Sequence, residues 1–220
     1  MTRFDEISTN LAQVKERIGK SAVLSGREPK DITLIVVTKT FPISDVEILK
    51  QLGVSDFGEN RDADGAFKAA SVAGQWHFQG QIQSNKIKSL CSWSQVIHSL
   101  DDARHFEIIE KSALHPLQIF LQVSLDGAKN RGGADIEKLY SLAGLVQASQ
   151  KHQLKGLMAV APLASNTSES FSLLAKIRSS FIAEFKGATS LSAGMSGDYE
   201  EAIIHGATHV RIGSSILGSR

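Results

Sequence analysis

The sequence predicts an α/β fold, a (β/α)8 barrel of the TIM type with an extra N-terminal helix. Three observations carry this. Short apolar runs alternate with helical stretches along all 220 residues. Within several runs polar and apolar residues alternate, which gives a strand an inner and an outer face. No Pro/Ser-rich linker or low-complexity tract interrupts the series, so residues 1–220 read as a single domain, with the segment 1–23 packed on it as a helix. A doubly wound open sheet is the competing arrangement, because periodicity does not prove closure. No GxGxxG follows the first strand, so the dinucleotide-binding version of that sheet lacks its signature.

The elements follow in order. Phe4, Ile7, Leu11, Val14 and Ile18 recur at helical spacing and predict an N-terminal amphipathic helix. Strands are expected at Thr33–Thr38, Val54–Gly58, Trp76–Gly80 and Val96–Ser99, then at Gln118–Ser124, Gly156–Ala159, Ser190–Ala193 and Thr208–Ile212. Helical stretches between them include Asp45–Leu52, Ser84–Cys91, Ala103–Ser112, Asp135–Lys151, Ser168–Phe185 and Asp198–His205. Gly53 and Gly206 stand where helix C-caps belong. Eight strands with helices between them match a closed barrel. Alternation turns His77, Gln122 and Arg211 toward the barrel interior, where such groups are costly unless hydrogen-bonded. A polar ligand at the barrel mouth, or a self-satisfied polar network, would meet that cost.

Composition narrows the function. A net charge of +1 points to neither nucleic acid nor an anionic membrane surface. The one cysteine, Cys91, rules out an internal disulfide and suits a reducing, cytoplasmic compartment. Met1–Ala22 carries charges throughout and has no apolar segment of the secretory type, and no run is long enough to span a membrane. His98, His105, His115, His152, His205 and His209 show no metal-ligand spacing and read as surface or structural; no metal is expected. Lys86 reads as a surface lysine and Trp93 as a packing residue.

The chemistry starts at Lys39, at the end of Leu34-Ile35-Val36-Val37-Thr38-Lys39. An amine at the C-terminal end of a buried strand can lose its proton and attack a carbonyl, forming a Schiff base. Two glycine-containing turns follow the last two strands, Ala193-Gly194-Met195-Ser196-Gly197-Asp198 and Arg211-Ile212-Gly213-Ser214-Ser215. Small residues and hydroxyls before a helix expose N–H and O–H donors, and barrels of this type often hold phosphate after strands seven and eight. Either turn alone would be ordinary strand–helix chemistry with a serine N-cap. Both together favour phosphate, although Asp198 would compete unless it points away. An amine, a phosphate cup and an inward arginine are what pyridoxal 5′-phosphate asks for. An arginine at its ring nitrogen donates a hydrogen bond to an unprotonated nitrogen and leaves a weak electron sink.

The motifs Val37-Thr38-Lys39-Thr40, Phe57-Gly58-Glu59-Asn60 and Trp76-His77-Phe78-Gln79-Gly80, with Gly156-Leu157-Met158, Ser192-Ala193-Gly194-Met195-Ser196 and Val210-Arg211-Ile212-Gly213, occur in one order along nearly the whole chain. In this the chain resembles the pyridoxal-phosphate homeostasis proteins (the YggS/PROSC family), whose fold is similar to the barrel of alanine racemase. The resemblance implies that Lys39 forms the Schiff base, that Ser196, Gly213 and Ser214 hold the phosphate, and that Arg211 faces the ring nitrogen. It implies that Asn60, His77 and Met195 line the pocket. It also implies a cofactor-binding protein that buffers or delivers pyridoxal phosphate, with PLP-dependent apo-enzymes as partners and no catalytic residues of its own; a barrel mouth left open, with no second domain expected, suits a monomer. The chain departs from the family at Arg61-Asp62-Ala63-Asp64, where an aromatic is usual, and at Arg131-Gly132-Gly133, where Lys-x-Gly is usual.

Two enzymes compete with that expectation. An amino-acid racemase would need a tyrosine opposite the lysine, and a second β-domain to supply it is not expected in this chain; Tyr140 and Tyr199 read as helix residues. A phosphosugar aldolase would need a carboxylate or tyrosine inside the barrel, and the strands offer none.

Overall fold

The computed structural model describes residues 1–128, 131–162 and 166–219. Eight parallel strands close into a barrel in sequence order. They are β1 (Thr33–Val37), β2 (Asp56–Glu59), β3 (Gln75–Phe78), β4 (Val96–Leu100), β5 (Gln118–Gln122), β6 (Gln153–Met158), β7 (Ser190–Ser192) and β8 (His209–Ile212). The closing seam pairs Leu34 with Val210 and Ile35 with Arg211. The open doubly wound sheet is thereby excluded. The strands are short and twisted, so eight of them can tilt round to satisfy every edge.

The helices form the outer layer: α1 (Arg3–Leu24), α2 (Ile43–Gln51), α3 (Asp62–Ser71), α4 (Ile87–Trp93), α5 (Ala103–Ser112), α6 (Ile136–Ala148), α7 (Thr167–Glu184), α8 (Tyr199–Ile204) and α9 (Ser214–Leu217). Local signals explain where several begin. Thr2 and Asp5 make a capping box on α1, and Asp102, Asp135 and Asn166 cap α5, α6 and α7. Helix α3 has few apolar anchors and no strong period, so its sequence announces it poorly. Gly65 lets α3 lie against α4, since a Cβ there would meet the Trp93 ring at 2.4 Å.

The main core lies between sheet and helices. Helix α1 joins it through buried Ile7, Leu11, Val14 and Ile18. It also clamps the last helices. Arg3 pairs with Asp45 at 2.6 Å and donates to the Leu217 carbonyl at 2.9 Å, while Asn10 donates to the Ile216 carbonyl. Arg17 pairs with Glu200 on α8. The barrel interior is different in kind. Beside the aliphatic Ile35 and Val96 it holds His77, His98, Phe120, Ser192 and Arg211, all buried, with the Phe120 ring stacked on His98 at 4.5 Å. None of the described helices is long and apolar enough to cross a membrane.

Candidate functional site

A cavity of about 590 Å³ opens at the C-terminal ends of the strands. Its wall takes residues from the ends of six strands or the loops after them: Val37, Asn60, Gln79, Met158, Met195 and Arg211. Lys39, Ser196, Gly213 and Ser214 also line it. Seven of the eight residues singled out from the sequence therefore converge on one cavity.

His77 does not line it. Alternation does turn its ring inward, but β3 places it one step below the mouth, where it meets Asp56 at 3.1 Å and His98 at 2.9 Å. Gln79, two residues further on, occupies the mouth position. Its Oε1 is buried without a hydrogen-bond partner.

Lys39 also needs correction. Strand β1 ends at Val37, and the lysine stands exposed two residues beyond it. Burial is not what this position gives the amine; access to the cavity is. Its backbone is held firmly. Thr38 is buried; its N–H donates to the Gly58 carbonyl and its hydroxyl to Glu59 at 2.7 Å. Lys68, from α3, donates to the Thr38 carbonyl at 2.7 Å and to Glu59 at 2.6 Å. Thr40 takes a φ of 67°, rare for a residue with a branched Cβ, so the turn after Lys39 is constrained. Lys68 carries no signal in the sequence, because a buried lysine on an outer helix looks like any surface lysine.

The cup after β7 and β8 is built from two turns facing each other. Ser196 Oγ accepts from the N–H groups of Gly213 and Ser215, each at 3.3 Å. Asp198 points away from the cup: it accepts from the Met195 N–H at 2.6 Å and so closes its own turn. Glycine is required twice here. Gly194 sits at φ 91°, and a Cβ on Gly213 would come within 3.0 Å of the Val37 carbonyl oxygen. Met195 and Asn60 are exposed at the rim.

Arg211 rises from β8 into the floor of the cavity and is almost wholly buried. It donates to Ser192 Oγ at 2.7 Å and to the Ala159 carbonyl at 3.1 Å. It has no ion-pair partner among the described residues. Burial lowers its pKa to about 10, with Asp198 opposing, so it stays a cation at neutral pH. His98 and His209 are held neutral beside it: burial and the neighbouring charges push His98 well below its usual value and His209 to about 3.

The remaining expectations fall outside the cavity. Tyr140 packs on Phe181 and Phe185, and Tyr199 is buried against Arg17 on α1; neither lines the cavity. Arg131 ties its loop to Asp126 at 2.7 Å and to the Val160 carbonyl at 2.8 Å. Trp93 is buried and donates to Asp62 at 2.9 Å, so the segment that departs from the family pattern anchors α4.

Comparison with known proteins matches this geometry. The family model for the N-terminal domain of alanine racemase matches residues 4–220. The pyridoxal phosphate homeostasis protein of Mycobacterium leprae is 33% identical, over 98% of this chain and 93% of that one. Its counterpart of the same name in Escherichia coli K12 is 33% identical, over 99% of this chain and 98% of that one. The solved structure of PipY from Synechococcus elongatus, with PLP bound, superposes with a TM-score of 0.80 at 28% identity, over 93% of this chain and all of that one. Closed barrel, amine turn and double-turn cup thus agree with full-length sequence similarity, and the chain belongs to the pyridoxal phosphate homeostasis protein family, within the wider group that shares the alanine racemase N-terminal domain.

Proposed function

We propose that this chain binds pyridoxal 5′-phosphate in the cavity at the C-terminal face and serves cytoplasmic homeostasis of that cofactor, holding or delivering it rather than turning over a dedicated substrate. One observation carries the reading. An exposed amine, a cup of hydroxyl and N–H donors, and a buried arginine without a carboxylate partner among the described residues line a single cavity. The residues fit the group. Gly213 leaves room where a Cβ would crowd the Val37 carbonyl, and Gln79, in the cavity wall, holds a buried Oε1 with no hydrogen-bond partner. The similarity to PipY, which was solved with PLP bound, supports the same ligand.

Pyridoxal phosphate supplies an aldehyde for an amine and a ring that draws electrons most strongly when its nitrogen is protonated. Lys39 is the amine placed to meet the aldehyde. Ser196, Gly213 and Ser214 would hold the phosphate. Arg211 would donate to the ring nitrogen and keep its own proton. Asn60 and Met195 would flank the ring. Among the described residues neither Tyr140 nor Tyr199 lines the cavity, which is why turnover as a racemase ranks second.

Incubation with pyridoxal phosphate, reduction with borohydride and mass spectrometry should place a pyridoxyl group on Lys39, and Lys39→Ala should lose it. A wild-type protein that takes up no cofactor would sink the reading. Racemisation of alanine or serine at ordinary enzyme rates would move the conclusion to the racemase. Transfer of the bound cofactor to a PLP-dependent apo-enzyme, followed by that enzyme's recovered activity, tests delivery.

A further inference from the structure

The cation at the cavity floor poses a problem that the cavity does not solve. Arg211 is buried, has no ion pair among the described residues, and bonds to two neutral oxygens, those of Ser192 and Ala159. A serine hydroxyl is a good acceptor for a guanidinium only if its own hydrogen is committed elsewhere. Behind Ser192 the structure supplies that commitment. Ser192 Oγ lies 2.9 Å from His98 Nδ1, His98 Nε2 lies 2.9 Å from His77 Nδ1, and His77 Nε2 lies 3.1 Å from Asp56 Oδ1. His77, His98 and Ser192 are buried, and Asp56 reaches partial exposure at the start of β2.

Donor and acceptor roles follow from the far end. An ionised Asp56 accepts only, so His77 must carry its proton on Nε2. A neutral His77 then presents Nδ1 as acceptor, so His98 must carry its proton on Nε2. A neutral His98 presents Nδ1 as acceptor, so the Ser192 hydroxyl donates to it. The lone pairs of Ser192 are left to Arg211. Burial keeps both imidazoles below their usual pKa, and the hydrogen bonds from His77 and Ser55 keep Asp56 below its own against the effect of burial. His77, His98 and Ser192 thus each donate once and accept once, in one direction, and the series ends on Asp56, which only accepts.

We propose that Asp56, His77, His98 and Ser192 are positioning residues that form a one-way hydrogen-bond relay through the barrel, fixing Arg211 as a charged donor at the cavity floor. The relay crosses from β2 through β3, β4 and β7 to β8, so a carboxylate near the opposite end of the strands governs the arginine beneath the ligand. Its consequence for the cofactor rests on the reading above, that Arg211 faces the ring nitrogen; its internal order does not.

Nitrogen-15 NMR of histidine side chains in the cofactor-free wild type reads the tautomers directly. His77 and His98 should both be neutral and protonated on Nε2 near pH 7. A proton on Nδ1 of either ring would overturn the relay. In Asp56→Ala the single tautomer at His77 should give way to a mixture. Ser192→Ala and Asp56→Ala should bind pyridoxal phosphate about tenfold more weakly, the scale of one hydrogen bond to a charged group, with a shifted visible absorbance. Unchanged tautomers, affinity and absorbance in Asp56→Ala would refute the proposal. If the wild type takes up no cofactor, the functional reading fails, and the tautomers still decide the relay.

Discussion

At the level of single residues, the site depends on side chains that position others. Lys68 and Glu59 form a buried ion pair whose task is to hold Thr38, and through it the turn that presents Lys39. Such pairs are close to neutral as a whole and costly when halved. Lys68→Met should destabilise the protein by about 3–5 kcal/mol in urea unfolding, because Glu59 is left buried and uncompensated. The double variant with Glu59→Gln should recover part of that loss, and strict additivity of the two single changes would argue against the pairing. Arg211→Glu should alter the visible absorbance of the protein loaded with pyridoxal phosphate; an unchanged spectrum would mean that residue 211 does not touch the ring. Lys39 and Arg211 were legible in the sequence because an amine and a guanidinium stand out in apolar runs. Lys68, Gln79 and His98 were not, because their importance comes from what they meet across the barrel.

At the level of elements, two joints decide the shape of the mouth. One is the close approach of the loops after β2 and β3. A Cβ on Gly80 would lie 2.1 Å from the Asn60 carbonyl oxygen, so the loops cannot keep their spacing if it is filled. Gly80→Ala should cost about 1–3 kcal/mol, as overpacking does elsewhere, and should weaken cofactor uptake as Asn60 moves. Normal stability with normal uptake would show that the loops have slack. The other joint is α1 against α9. Arg3 spans Asp45 and the Leu217 carbonyl, so the N-terminal helix braces the short helix that follows the phosphate cup. Arg3→Ala should speed amide hydrogen exchange at Ile216 to Gly218, with little change in the strands. Most strands and helices could be read from their period and caps. Helix α3 could not, and β6 begins earlier than its apolar run suggests, because Gln153 and Leu154 pair with Gln118 and Ile119 of β5 ahead of a register shift at Lys155.

At the level of the whole molecule, the polar interior makes stability depend on pH. His98 and His209 are neutral in the folded barrel, chiefly through burial, and Lys155 and Arg211 add repulsion at His209 while Asp56 opposes it. The unfolded chain would take up protons at these groups near the ordinary value of 6.5, while folded His209 holds out to about 3. A folded pKa below the unfolded one means that the unfolded state binds more protons as pH falls. Stability should therefore be full above about pH 6.5 and decline below it, by about 1.4 kcal/mol per pH unit for each histidine held neutral. Urea unfolding at pH 7.5 and pH 5 checks this, and His209→Leu should flatten part of the slope; equal stability at the two values would contradict it. The sequence by itself determined the alternation of strands and helices, the amine after the first strand and the two glycine-containing turns after the last two, because these depend on local period, local turns and residue type. Only the tertiary structure decided that the sheet closes, that Lys39 is exposed while Thr38 is held, and that His77 lies beneath the cavity rather than in it. Closure sets six strand ends around one mouth and stacks side chains from five strands inside it, and no local pattern records which of those side chains will touch.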